Sequence, residues 1–209
     1  MTTQLMLEGF DHLPVPTDRL FFAIRPDEHA ATRIEALVAR LREGAGLTAR
    51  PIARDRLHIT LFWLGDHVGL PQKFVDALSV IASSVDSVPF DVEFDRVEYF
   101  ARRAGKKPLV LRGAASAQGV AALAAFQRTL AAHLGGYRGA NGRPIAGRGT
   151  SFTPHVTLLY DSLPVQRQAV QTIGWPVREF LLVHSVLGES RHEVLGRWPL
   201  RGGESDGVA

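Results

Sequence analysis

Residues 56–64 read RLHITLFWL and residues 153–160 read TPHVTLLY, and the reading of these two stretches decides the fold. Side chains on a strand alternate between its two faces. Under strict alternation Leu57, Ile59, Leu61 and Trp63 share one face, and His58, Thr60 and Phe62 share the other. In the second stretch Val156, Leu158 and Tyr160 oppose His155, Thr157 and Leu159. Each strand therefore sets an imidazole beside a hydroxyl and turns its other face to a core. The same alternation sends Trp63 into the core, puts Phe62 beside His58, and points Tyr160 away from His155.

The flanking sequence repeats around these strands. Residues 19–25 (RLFFAIR) read as a buried strand that Pro26 breaks, after which Asp27 caps a helix to about Glu43. Pro71 opens a second helix, and residues 90–100 (FDVEFDRVEYF) alternate as a half-solvated strand. The order then recurs: strand 108–113, helix 116–134, strand 153–160, a short helix from Pro164, and strands 179–188 and 191–200. The two histidines are 97 residues apart and hold the same place in each half. This reads as an internal repeat over about 19–100 and 108–188 within one two-lobed domain spanning 1–201. Half-polar strands favour antiparallel pairing. The expected fold is α+β: two pseudo-symmetric lobes, each a mainly antiparallel sheet with helices outside, and a cleft between them. Residues 202–209 read as a disordered tail.

Composition narrows the chemistry. The chain has 209 residues, is 45% hydrophobic and carries a net charge of +3. It has no cysteine, which excludes disulfides, thiolate nucleophiles and Cys-ligated zinc. The only lysines are Lys73, Lys106 and Lys107, so arginine supplies nearly all the positive charge. Arginine suits phosphate, although a genome rich in G and C gives the same bias. No apolar run could cross a bilayer and no signal-peptide order opens the chain, so a cytoplasmic monomer is the default expectation. No His spacing points to a metal, and neither a Walker-type glycine loop nor G-x-S-x-G occurs. No cofactor is expected.

Two imidazoles and two hydroxyls around one cleft meet the needs of metal-free phosphodiester cleavage. One neutral imidazole takes a proton from the attacking oxygen, and a protonated one gives a proton to the leaving oxygen. Threonine hydroxyls can bond the non-bridging oxygens and hold phosphorus in line. The residues alone do not say which histidine gives and which takes. A single H-x-T is weak in a chain with eight histidines, but two at matching places in a repeat are not.

LHITLFWLG and TPHVTLLYD resemble the paired H-x-T-x motifs of the 2H phosphoesterases. The nearest group is the bacterial RNA 2′,3′-cyclic phosphodiesterases, historically called 2′-5′ RNA ligases. The resemblance covers about 18–201, including RLFFAIRP, PLVLRG and VLGRWPL. It implies hydrolysis of RNA-end or nucleotide 2′,3′-cyclic phosphates to 2′-phosphates. It also implies His58 as proton donor, His155 as proton acceptor, and Thr60 and Thr157 on the phosphate. Many members carry an arginine where this chain has Tyr160. The residues considered for RNA contact in its place are Phe62, Tyr160, Arg143 and Arg148, with Arg102, Arg103, Lys106 and Lys107 as ordinary solvated turns otherwise. His184 and His192 read as structural. The competing readings are a non-catalytic module that binds nucleotides or RNA ends, and 2′-5′ cleavage or ligation on the same fold.

Overall fold

Proline has no amide proton for a ladder, and β1 (Asp18–Ile24) stops two residues short of Pro26. Asp27 then caps α1 (Glu28–Ala45), its carboxylate accepting the Ala30 amide at 2.7 Å. Gly46, at φ 63°, closes the helix in the left-handed conformation. The computed structural model describes residues 14–100, 106–114, 117–138, 152–163 and 165–201. Arg102, Arg103, Arg143, Arg148 and the tail 202–209 lie outside the described residues.

The remaining elements are β2 (Ile59–His67), α2 (Gln72–Ser83), β3 (Phe90–Tyr99), β4 (Lys107–Arg112), α3 (Gln118–His133), β5 (Val156–Asp161), β6 (Gln168–Val177), β7 (Glu179–Val186) and β8 (Arg191–Pro199). A 3₁₀ turn at Arg54–Arg56 precedes β2. Two expectations are corrected. The first motif strand starts at Ile59 rather than residue 56, because that turn occupies its expected beginning. The helix expected from Pro164 gives way to β6, where Ile173, Trp175 and Val177 alternate inward. Gly174 between them permits β3 to approach: a Cβ there would lie 2.8 Å from the Val92 carbonyl oxygen.

The fold is α+β with two four-stranded antiparallel sheets, ordered β2-β1-β7-β8 and β5-β4-β3-β6. The orders correspond position by position. Each has a motif strand at its edge, then the first strand of the same half of the chain. The third place is taken in exchange: β3 joins the second sheet and β7 the first. Each sheet therefore draws on both halves, and the halves are interlocked by hydrogen bonds.

One continuous core lies under the helices. It joins Phe22 and Phe180 of the first sheet, Phe94 and Leu111 of the second, and Ile34, Leu78, Leu123 and Phe126 of the three helices. Phe22, Phe94 and Phe180 are fully buried, each worth about 1.5–3 kcal/mol relative to exposure. The opposite face of the first sheet carries a smaller cluster of Phe21, Ala23, Leu181 and Val183. Among the described residues no helix is long and apolar enough to cross a membrane.

Candidate active site

Both motif histidines sit one residue before their strands. There the backbone has not yet joined a ladder, and a carbonyl two residues back is available to the ring. His58 Nδ1 lies 2.7 Å from the Arg56 carbonyl oxygen, and His155 Nδ1 lies 2.8 Å from that of Thr153. A carbonyl only accepts, so each Nδ1 carries the proton and each Nε2 keeps the lone pair. The same local bond thus sets the same tautomer twice.

Immediately after each threonine the pairing slips. Phe22 pairs with Phe62 and Ala23 with Thr60, which leaves Leu61 as an extra residue. Leu109 pairs with Leu159 and Val110 with Thr157, which leaves Leu158 extra. A β-bulge moves every later side chain to the other face. Phe62 is therefore a core residue, only 6% exposed, and its expected place beside the ligand is corrected. Trp63, expected in the core, is 51% exposed and lines the cleft. Tyr160 is likewise carried round onto the cleft wall, 45% exposed, against the strict alternation that pointed it away.

A cleft of about 330 Å³ gathers His58, Thr60 and Trp63 from one sheet and His155, Thr157 and Tyr160 from the other. Its two sides are tied together by the chain between them. β5 is an edge strand, and Pro51 bridges to Leu159 along it while the Ile52 amide donates to the Leu158 carbonyl at 2.8 Å. The Ala49 amide donates to buried Asp161 at 3.1 Å. Three residues past Pro51 the 3₁₀ turn begins at Arg54, which pins it to α1 through Glu28 and Glu35. His58 follows two residues after the turn ends. The strap that covers the second motif's strand thus delivers the first motif's histidine.

The imidazoles differ in surroundings. Burial, with the charges of Arg25, His155 and Arg56, lowers His58 to about 4. Burial, with Arg112, lowers His155 as well. Phe100 stands edge-on to His155 at 4.5 Å, and Arg112 is ion-paired to Glu98. Phe21 supports His58 from the sheet at 4.9 Å.

Sequence reasoning missed several residues of the cleft. His192, set aside as structural, reaches it from β8 with its ring 5.4 Å from that of His58. Burial and the charge of His58 lower it to about 3. Arg19 faces the cleft from β1, held by Asp66 at 2.7 and 2.8 Å. Trp63 Nε1 donates to the same carboxylate at 3.4 Å. Arg19, Phe21 and Arg25 do share a face by alternation, a signal present in RLFFAIR. The nearness of β8 to the 54–56 turn left no such trace. His184 is buried, its Nε2 2.6 Å from Asp18. Among the described residues no group of three or more His, Cys, Asp or Glu has a metal-binding arrangement.

Two interlocked antiparallel sheets, with an H-x-T at the edge of each and both turned to one cleft, define a phosphoesterase-type scaffold. The model of the 2′-5′ RNA ligase superfamily matches residues 26–191, and the chain belongs to that family. It is 31% identical over 186 residues to the RNA 2′,3′-cyclic phosphodiesterase of Escherichia coli K12, across 87% of this chain and 96% of that protein. The crystal structure of E. coli LigT complexed with NADP⁺ has a TM-score of 0.64 at 28% identity, covering 89% of this chain and 99% of that one. LigT complexed with 3′-AMP gives a TM-score of 0.61 at 27% identity, covering 90% and 100%.

Proposed function

We propose that this protein hydrolyses the 2′,3′-cyclic phosphate of an RNA end or nucleotide to a 2′-phosphate, with the two histidines as acid and base and no metal. The observation that carries the reading is the matched pair. His58 and His155 hold the same tautomer by the same backbone bond, and both border one cleft with their threonines. A binding module needs neither an acid nor a base. The E. coli relative, named for this activity, supports the substrate class.

The steps balance as one proton in and one proton out. Water attacks phosphorus in line with the 3′ oxygen, and His155 Nε2 takes its proton. The P–O3′ bond breaks as His58 Nε2–H gives a proton to O3′. The product carries a 2′-phosphate and a free 3′ hydroxyl. Thr60 and Thr157 donate to the non-bridging oxygens and hold phosphorus between the imidazoles. The difference in surroundings supports this assignment. The more depressed imidazole, His58, is the stronger acid once protonated, and the anionic substrate supplies the charge that stabilises its imidazolium. Trp63 and Tyr160 provide aromatic surface for the nucleobase, and Tyr160 takes the place where relatives carry arginine.

The test is a product assay on RNA ending in a 2′,3′-cyclic phosphate, run in EDTA. The expected product is the 2′-phosphate. A 3′-phosphate, or turnover that stops until metal is added, would overturn the mechanism.

A further inference from the structure

Two arginines at or near the cleft have an anion beside them: Arg19 has Asp66, and Arg112 has Glu98. Two do not. Arg25, the residue after β1, and Arg56, which lines the cleft from the turn before His58, are half-buried and make no ion pair among the described residues. The Nε atom of each is buried with no hydrogen-bond partner in the protein. Buried guanidinium nitrogens are costly unless something accepts from them. Arg42 and Arg112 share this feature, but Arg42 lies in the last turn of α1, where the helix dipole suits a cation, and Arg112 has Glu98 on its other nitrogen. No α-helix ends at Arg25 or Arg56, and Arg56 closes only a three-residue 3₁₀ turn.

The two arginines act on one corner. Both lower His58 and His192, whereas the cation that acts on His155 is Arg112. The other charged groups facing the corner are exposed Asp55 of the turn, and Glu179 and Arg197 of β7 and β8. The last two are paired with each other at 2.7 Å. The corner is therefore net positive, lies on the His58 side, and opens to the cleft through Arg56 and His192.

We propose that Arg25, Arg56 and His192 form a second phosphate subsite, distinct from the reacting position, which takes the phosphate on the 5′ oxygen of the terminal nucleoside. This inference rests on the proposed activity and sharpens its substrate: a nucleotide with a second phosphate, not a bare nucleoside cyclic phosphate. The reacting phosphorus lies between His58 and His155. A ribose carries its 5′ oxygen about one ring's width from its 2′ and 3′ oxygens, and the His192 ring stands 5.4 Å from that of His58. Neutral His192 donates or accepts one hydrogen bond, and the two guanidinium groups supply charge and geometry for the non-bridging oxygens.

Equilibrium binding tests the subsite independently of turnover. Wild-type protein is titrated with adenosine 2′-monophosphate, with adenosine 2′,5′-bisphosphate, and with a dinucleotide ending in a 2′-phosphate. The second and third ligands are expected to bind at least about tenfold tighter than the first, the scale of one charge-assisted contact. Arg25→Gln with Arg56→Gln should shrink that ratio to about two or less. A gain seen for the bisphosphate alone would overturn the RNA-end source and support a mononucleotide one. Equal binding of all three by the wild type, or a ratio the double variant preserves, would overturn the subsite. A parallel turnover assay on adenosine 2′,3′-cyclic phosphate separates the two readings. No turnover, with the wild type still favouring the second phosphate and the double variant losing that preference, would sink the activity and support the subsite.

Discussion

The two motif regions share a plan and differ in their company. Each carries a histidine anchored to the carbonyl two residues back, a threonine, a bulged leucine, and an exposed aromatic beyond it. Around His58, however, stand Arg25, Arg56 and His192, while around His155 stand Phe100 and an arginine neutralised by Glu98. Equivalent backbones thus hold inequivalent imidazoles. The local motif fixes the tautomer, and elements distant in sequence set the proton affinity. In the proposed mechanism this difference gives one side the acid's task and the other the base's.

The sharpest way to break the comparison is to remove each imidazole and change the leaving group. His58→Ala and His155→Ala should each lower kcat/KM on a 2′,3′-cyclic nucleotide by about 10²–10⁴. On a nucleotide p-nitrophenyl diester, whose leaving group needs no proton, His58→Ala should recover most of that loss and His155→Ala should recover none. Equal recovery by both, or recovery by His155→Ala alone, would reverse or void the assignment.

The bulge makes a second contrast, between neighbours. Phe62→Ala should cost about 3–5 kcal/mol of stability, read from denaturant unfolding, because it opens a core cavity. Trp63→Ala should leave unfolding nearly unchanged and raise KM, with a loss on the scale of about 1–3 kcal/mol for one base stack. If the two effects were exchanged, strict alternation would be right and the bulge wrong.

That exchange marks where the sequence was legible and where it was not. Alternation placed His58 with Thr60 and His155 with Thr157, because these pairs precede the slip. It failed at Phe62, Trp63 and Tyr160, because a bulge is a property of the strand pair and is invisible in one strand. The cap at Asp27 and the stop at Pro26 were readable as local chemistry. β6 was hidden behind Pro164 and a polar first half, although Ile173, Trp175 and Val177 alternate. The exchange of β3 and β7 between sheets, and the arrival of His192 beside His58, depend on tertiary pairing that no short window contains.

The pH profile probes the imidazoles themselves. Both are depressed in the free protein, so the neutral forms are favoured and protonation is delayed to lower pH. Limbs of kcat/KM report the free enzyme. Both should therefore fall below 6.5, the ordinary imidazole value, with His58 at about 4 setting the lower one. His192 is lowered further, to about 3, and takes its proton only after His58, so His192→Gln should leave the His58 limb in place. A limb above 7 that disappeared in His58→Ala would contradict the depressed acid.

The smallest effect lies on the quieter side. Arg112 is a cation that lowers His155, and Glu98 is ion-paired to it and to Arg167. Arg112→Gln removes that repulsion, so protonated His155 becomes easier to form and its limb moves to higher pH. Glu98→Gln does the opposite, because it leaves the Arg112 charge uncompensated and makes the His155 imidazolium harder to form. Each shift should be on the order of half a pH unit, since a partly screened charge beyond direct contact is worth less than 1.4 kcal/mol. The His58 limb should stay in place in both variants, because Arg112 is not among the charges that act on it. Movement of both limbs together would mean that the two sides share one electrostatic environment, and the contrast between them would collapse.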